Sequence, residues 1–369
     1  MIDTTANLVI SKSNEVFLKI NTEPHIEYEL RDHFKFEVPN AKFMPQYRGK
    51  NWNGEIHLYD MRSKQIYVGL LDKIVSFCKQ YGYTYKFDEN KFYGLPFEIN
   101  EEISYEGVKD YMKSICAHSP REYQIEGVYD ALRHNRKLLI SPTASGKSLM
   151  IYSIVRYYVD KGQKILLVVP TTSLVEQMYK DFQEYGWDAE SYCHRIYGGK
   201  EVTNIHSVTI TTWQSVYKLE RSFFEDYGVI IGDEAHLFKA QSLVSIMSNC
   251  INAKYRIGLT GTLDGTKTHK LVLEGLFGPV EKVTTTKELM DNKQIADFSI
   301  KCLILKHEDE ICKLMKGKTY QEEIEYLILN EARNKFIKNL AVSLNGNSLI
   351  LYQYVDKHGK ILYDMITNT

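Results

Sequence analysis

From about residue 137 the chain alternates between short apolar runs and amphipathic stretches of helix length. The runs are KLLIS, KILLVVP, SVTIT, YGVIIGDE and YRIGLTGT, and KSLMIYSIVRYYVDKG and TTSLVEQMYKDFQEYG stand among them. Strands that are apolar on both faces, separated by helical segments, predict a parallel sheet covered on both sides. Gly162 and Gly186 are placed to stop the two helices, and Thr171, Thr172 and Ser173 are candidate caps for the second, just after Pro170. Residues 116–300 are expected to form one doubly wound α/β domain.

The flanks follow other patterns. Residues 1–115 include FKFEVPNAKFMPQYRGKNWNGEIHLYD, whose Asn53-Gly54 pair between alternating aromatic segments predicts a hairpin. The amphipathic VGLLDKIVSFCKQYG follows, so this part is expected to be a small α+β module. Towards the end, FSIKCLILK and SLILYQYV read as strands and HGKILYDMI as a helix. Residues 301–369 are thus expected to open a second α/β domain, with two strands where such a sheet needs about five.

Composition changes this picture little. A length of 369 residues suits two or three domains, and the formal net charge of −1 gives no global sign of a nucleic-acid protein. Six cysteines never fall in a C-x-x-C pair, so neither zinc nor a disulfide framework is suggested. There is no apolar leader and no run long enough to cross a bilayer, which makes the cytoplasm the expected location and gives no membrane role.

Candidate chemistry lies at two strand ends. LLISPTASGKSLM carries the Gly146-Lys147-Ser148 of a phosphate-binding loop, with Ser141 where G-x-x-x-x-G-K-[ST] would have glycine. Thr143, Ala144, Ser145 and Gly146 would curl around a phosphate at a helix N-terminus, and Lys147 would reach the terminal phosphates. Serine and alanine are acceptable replacements if their φ stays negative. Alone, G-K-S could equally be a turn before a helix. The second feature is GVIIGDEAH, where a buried strand ends in Asp233 and Glu234. Adjacent carboxylates there are costly to bury without a cation, and magnesium on nucleotide phosphates supplies one. Asp233 would hold it with Ser148, and Glu234 would orient and deprotonate the attacking water. His236 is either part of that site or a hydrogen-bonded core histidine.

With these residues in place, the chain resembles superfamily 2 DNA helicases, and within them the phage helicases of recombination and branch migration. PTASGKS stands as motif I and GDEAH as motif II; VVPTTSLVEQM, TTWQS, LTGTL and QYVDKHGK resemble further motifs in the expected order. REYQIEGV looks like the adenine-recognition motif, which implies that Arg121, Tyr123 and Gln124 face the base. The resemblance implies a RecA-like P-loop NTPase that takes ATP and Mg2+. Pro170, Thr171, Thr172, Gly198, Gly199, Thr212, Trp213 and Gln214 then stand where strand ends and loops can hold DNA phosphates, although each also reads as a cap or turn. Thr260 and Thr262 would couple the γ-phosphate site to that face. In the first module Arg48, Lys50 and Trp52, with Lys42, Tyr47, Tyr59, Arg62 and Lys64 nearby, suit backbone contact and base stacking, or else a solvated hairpin. The resemblance implies a role in binding branched DNA.

Nothing in the sequence resembles the arginine-bearing Q-x-x-G-R-x-x-R motif of the second RecA-like domain, and Arg333 is a poor substitute. Such an arginine is worth about 10³–10⁵ in rate. The chain is therefore expected to be incomplete in that domain, to bind nucleotide weakly and to be weakly active alone. Its expected partners are branched DNA (forks, Holliday-type junctions and the single strands within them), the missing RecA-like half and other recombination proteins. Competing readings are a duplex translocase of restriction-enzyme type and a non-catalytic nucleic-acid-binding fragment.

Overall fold

The computed structural model describes residues 6–368 apart from Pro39, Ala117, Asn204, residues 264–266 and Asp297. It divides into two units, Met1–Asp297 and Phe298–Thr369. The first begins with an antiparallel pair, β1 (Leu8–Lys12) and β2 (Phe17–Thr22). A second antiparallel pair is β3 (Lys35–Glu37) with β4 (Glu55–His57), while β5 (Gln65–Tyr67) extends the first sheet beside β2 and β6 (Tyr85–Phe87) beside β1. Leu8, Ile10, Leu18, Ile20 and Ile66 bury one face of that sheet against Ile26, Leu30, Ile74 and Phe77 of the helices Pro24–His33 and Leu71–Tyr81. The second helix is the predicted one, and Gly82 ends it with φ +73°.

The Asn53-Gly54 hairpin does not form. Residues 38–54 separate β3 from β4 and contain two short helical turns, Ala41–Phe43 and Pro45–Arg48. Pro45 has its φ already set for the start of a helical turn, so the segment before Asn53 is helical rather than a facing strand. Asn53 Oδ1 instead accepts from the Glu55 N–H at 3.1 Å, and Gly54 (φ +86°) leads directly into β4.

Seven parallel strands follow: β7 (Arg136–Ile140), β8 (Ile165–Val169), β9 (Cys193–Ile196), β10 (Val208–Thr212), β11 (Val229–Asp233), β12 (Tyr255–Thr260) and β13 (Val280–Lys282). Their order is β13-β7-β12-β11-β8-β10-β9. The five apolar runs became β7, β8, β10, β11 and β12, and the two outermost strands, β9 and β13, had no such signature. One face is covered by the helices Glu122–His134, Lys147–Asp160 and Thr172–Glu184, through Ile125, Ile151, Ile154, Val175 and Phe182. The other meets Phe224, Phe238, Ile246 and Phe277. Because all strands run one way, every C-terminal end lies on one edge, where ligands of open α/β sheets bind.

The first module packs on the opposite edge. A Cβ at Gly69 would stand 2.0 Å from the Glu274 carbonyl oxygen, so backbone meets backbone there. Arg136, at the start of β7, pairs with Glu15 at 2.5 Å, and Lys254 before β12 pairs with Glu98.

In the second unit the strands expected at FSIKCLILK and SLILYQYV are absent among the described residues. Ile300, Ile304, Leu349 and Leu351 are each at least 80% exposed. A strand needs a neighbour to take its N–H and C=O groups, and no ladder pairs either segment. The elements that form there among the described residues are helical: Asp309–Met315, Tyr320–Leu329, Glu331–Ser343 and Lys360–Thr367, with a turn at Val355–Gly359. Arg333 there donates to the Leu327 carbonyl and lies 3.3 Å from His358 Nε2. Among the described residues, no helix is long and apolar enough to cross a membrane.

Candidate nucleotide site and nucleic-acid face

Strand β7 delivers the phosphate-type loop. The Ser141 N–H donates to Thr260 O at 2.8 Å, tying the loop to the end of β12, and the Ser141 and Ser145 hydroxyls lie 2.6 Å apart. Ser141 keeps a negative φ, as a residue replacing glycine should. Ala144 does not: its φ is +65°, in a region that costs a non-glycine residue about 1–2 kcal/mol. The curl of the loop overrides the local preference. Gly146 (φ +79°) opens the helix Lys147–Asp160, and no side chain caps that N-terminus. Its free N–H groups and dipole therefore suit an anion.

Gly146 has a second constraint, because a Cβ there would stand 2.3 Å from Gln124 Nε2. Gln124 is buried behind the loop. Its Nε2 donates to Ser145 O at 2.8 Å, and its Oε1 accepts from the Arg121 N–H at 2.9 Å. The Tyr123 hydroxyl donates to the same Ser145 carbonyl at 3.0 Å and accepts from Arg121 at 2.9 Å. Arg121, Tyr123 and Gln124 thus brace the loop, which sequence reading missed. Those two bonds leave one N–H and one lone pair of the Gln124 amide uncommitted.

Strand β11 delivers the acidic pair. Glu234 turns off the strand with φ +49°, and Lys147 Nζ lies 3.3 Å from its Oε1. His236 Nδ1 stands 3.3 Å from Glu234 Oε2 and 2.9 Å from Thr260 Oγ1, which donates to Thr262 O at 2.9 Å. The structure therefore joins Lys147, Glu234, His236, Thr260 and Thr262 in one chain of contacts. Thr143 is exposed beside them.

Asp233 is the exception in this chain. It is 7% exposed and its Oδ1 has no hydrogen-bond partner. Burial, then the Glu234 charge, pushes its carboxyl up to about 6. A buried acceptor left unmatched beside a second carboxylate is the environment a divalent cation relieves. Among the described residues no three His, Cys, Asp or Glu side chains gather as a metal cage. Magnesium does not need one, since it binds through one or two carboxylates together with phosphates and water. Asp181, on the helix Thr172–Glu184, is a neighbour of the Ser148 hydroxyl that no motif announced; burial raises its carboxyl and that hydroxyl opposes the shift.

Of the residues expected to meet nucleic acid, those at 170–172, 198–199 and 212–214 sit on the C-terminal edge of the sheet, beyond β8, β9 and β10, whereas Arg48, Lys50 and Trp52 belong to the first module, which packs on the opposite edge. Thr171 caps the helix Thr172–Glu184 by accepting from the Leu174 N–H at 3.3 Å; Thr171 and Thr172 are both exposed, and Pro170 is half-buried. Gly198 and Gly199 form an exposed turn with φ +55° and +86°. Thr212 is buried and bonded to Ser215 at 3.0 Å; Trp213 packs on Tyr217, and Gln214 is exposed. In the first module Arg48 and Lys50 are exposed, while the Trp52 indole donates to Glu55 O at 2.7 Å. Tyr59 is 1% exposed and belongs to the core, so it cannot stack on a base.

Comparison with known proteins follows the same outline. Residues 117–265 match the family model for the type III restriction enzyme res subunit, and residues 12–88 match the N-terminal model of the DNA helicase UvsW. The ATP-dependent DNA helicase uvsW of Enterobacteria phage T4 is 34% identical over 367 residues, covering 95% of this chain and 71% of that protein. A crystal structure of the UvsW helicase from bacteriophage T4 superposes with a TM-score of 0.67 at 30% identity, over 75% of this chain and 99% of that one. A second crystal structure of T4 UvsW gives a TM-score of 0.69 at 30% identity, over 98% of this chain and 73% of the other.

Proposed function

Because this chain belongs to the UvsW family of superfamily 2 DNA helicases, we propose that it binds ATP at the β7 and β11 strand ends and couples hydrolysis to movement on branched recombination or stalled-fork DNA. Lys147 and the N–H groups at the start of its helix hold the terminal phosphates. Ser148 and Asp233 are the chain's ligands for magnesium, which when bound neutralises charge on the phosphates. Glu234 orients the water and takes its proton, and its ion pair with Lys147 at 3.3 Å opens when phosphate competes for the ammonium. His236 and Thr260 link the γ-phosphate position to Thr262 and the nucleic-acid face. The observation that carries this reading is the convergence of Lys147, Glu234 and His236 beside a buried Asp233 whose oxygen has no partner.

A second reading keeps the same motor but removes strand separation, and the match of residues 117–265 to the restriction-enzyme res subunit favours weighing it. ATP-dependent strand displacement on forked DNA, compared with ATP hydrolysis on plain duplex, decides between them. Displacement on forks that is weak for this chain alone and is lost in Lys147→Ala is the expected result. Duplex-stimulated hydrolysis without displacement would replace the helicase reading with the translocase.

A further inference from the structure

The helix Thr172–Glu184 carries, one turn in from its exposed start, the carboxylate of Glu176. Three donors converge on it from the adjacent edge of the sheet. The Arg195 guanidinium at the end of β9 and the Tyr197 hydroxyl just beyond it both donate to Glu176, and Lys200 Nζ lies 3.2 Å from its Oε1. Each cation is also set by a ring: the guanidinium carbon of Arg195 stands 3.9 Å from the centre of Tyr179, and Lys200 Nζ 4.3 Å from that of Tyr197. The donors therefore hold their geometry through contacts other than the carboxylate. Solvent reaches the group, with side-chain exposures of 43% for Glu176, 38% for Lys200 and 28% for Arg195.

We propose that Glu176 occupies the position of a DNA backbone phosphate, so that Arg195, Tyr197 and Lys200 form a phosphate clamp closed by an internal carboxylate. This rests on the nucleic-acid role proposed above for the same edge of the sheet. A guanidinium fork can span the two oxygens of a carboxylate or the two non-bridging oxygens of a phosphodiester, and an ammonium and a hydroxyl can donate to either anion. Two cations against one carboxylate leave a positive charge that an incoming anion can use. An exposed pair contributes only about 0–1 kcal/mol, so exchanging one anion for the other costs little. Thr171, the exposed cap of the same helix, and the exposed Gly198-Gly199 turn between Tyr197 and Lys200 extend the surface on which a strand would lie.

The carboxylate is then a competitor, whereas a simple staple between the helix and the loop would make it a supporter of DNA binding. Fluorescence anisotropy with a labelled single-stranded oligodeoxynucleotide separates the two roles, with circular dichroism establishing that each variant is folded. Glu176→Gln should tighten binding by about threefold at low salt. Arg195→Ala and Lys200→Ala should weaken it, each lowering the slope of log affinity against log salt by about 0.7. Unchanged or weaker binding by Glu176→Gln overturns the proposal while leaving the nucleic-acid face intact. If the unmodified chain binds magnesium and nucleotide but no DNA, both the clamp and the face beneath it fall.

Discussion

The two edges of the parallel sheet both carry buried charge and treat it in opposite ways. At the edge where strands begin, Glu15 takes Arg136 at 2.5 Å and Lys12 at 3.2 Å, Glu98 takes Lys254, and buried Arg256 donates to the carbonyls of Ala253, Met247 and Cys250. A cavity of about 260 Å³ lies there, yet the charges of Lys12, Glu15, Glu98, Arg136 and Lys254 in its walls all have partners. At the edge where strands end, Asp233 is buried with its Oδ1 unpartnered, and Ala144 and Glu234 hold left-handed backbone. Completed pairs glue one module to another; an unmatched carboxylate and a strained loop mark a place prepared for a ligand.

That contrast can be broken most severely at Glu15. Glu15→Ala strands Arg136 and Lys12 as buried charges, and urea unfolding should show a loss of about 3–5 kcal/mol with nucleotide affinity unchanged. Asp233→Asn should do the reverse. The native carboxyl titrates near 6 against 3.8 for a free one, so the folded state holds the proton more tightly than the unfolded chain. Stability present below about pH 4 is therefore lost as pH rises through about 6, and without magnesium the amide variant should exceed the native chain by about 2 kcal/mol at neutral pH. The two should converge in acid, and a variant that is less stable at neutral pH would deny that Asp233 is strained. The smallest effect is expected at the loop, where Ala144→Gly should raise the melting free energy by about 0.5 kcal/mol, relief of backbone strain being partly offset by a freer unfolded chain.

How much of this was legible beforehand follows the same division. Interior strands such as KILLVVP and YGVIIGDE are buried on both faces and announce themselves as apolar runs. The outermost strands CHRI and VEK have a solvated side and carry no such signal. FSIKCLILK has the composition of a strand, but composition cannot supply the neighbour that a strand must pair with. The phosphate loop and the acidic pair were visible because their chemistry demands particular residues at short spacing. The bracing role of Gln124, the Asp181 contact to Ser148 and the donors around Glu176 join positions far apart in the chain, and no local pattern encodes them.

The most direct measurement is calorimetric titration of the chain with a non-hydrolysable ATP analogue, with and without magnesium, alongside Lys147→Ala and Asp233→Ala. Binding that requires magnesium in the native chain, and weakens by at least about tenfold in each variant, is the expected result. Equal affinity without the metal, or affinity untouched by removing Lys147 or Asp233, would contradict a nucleotide–metal site at these strand ends.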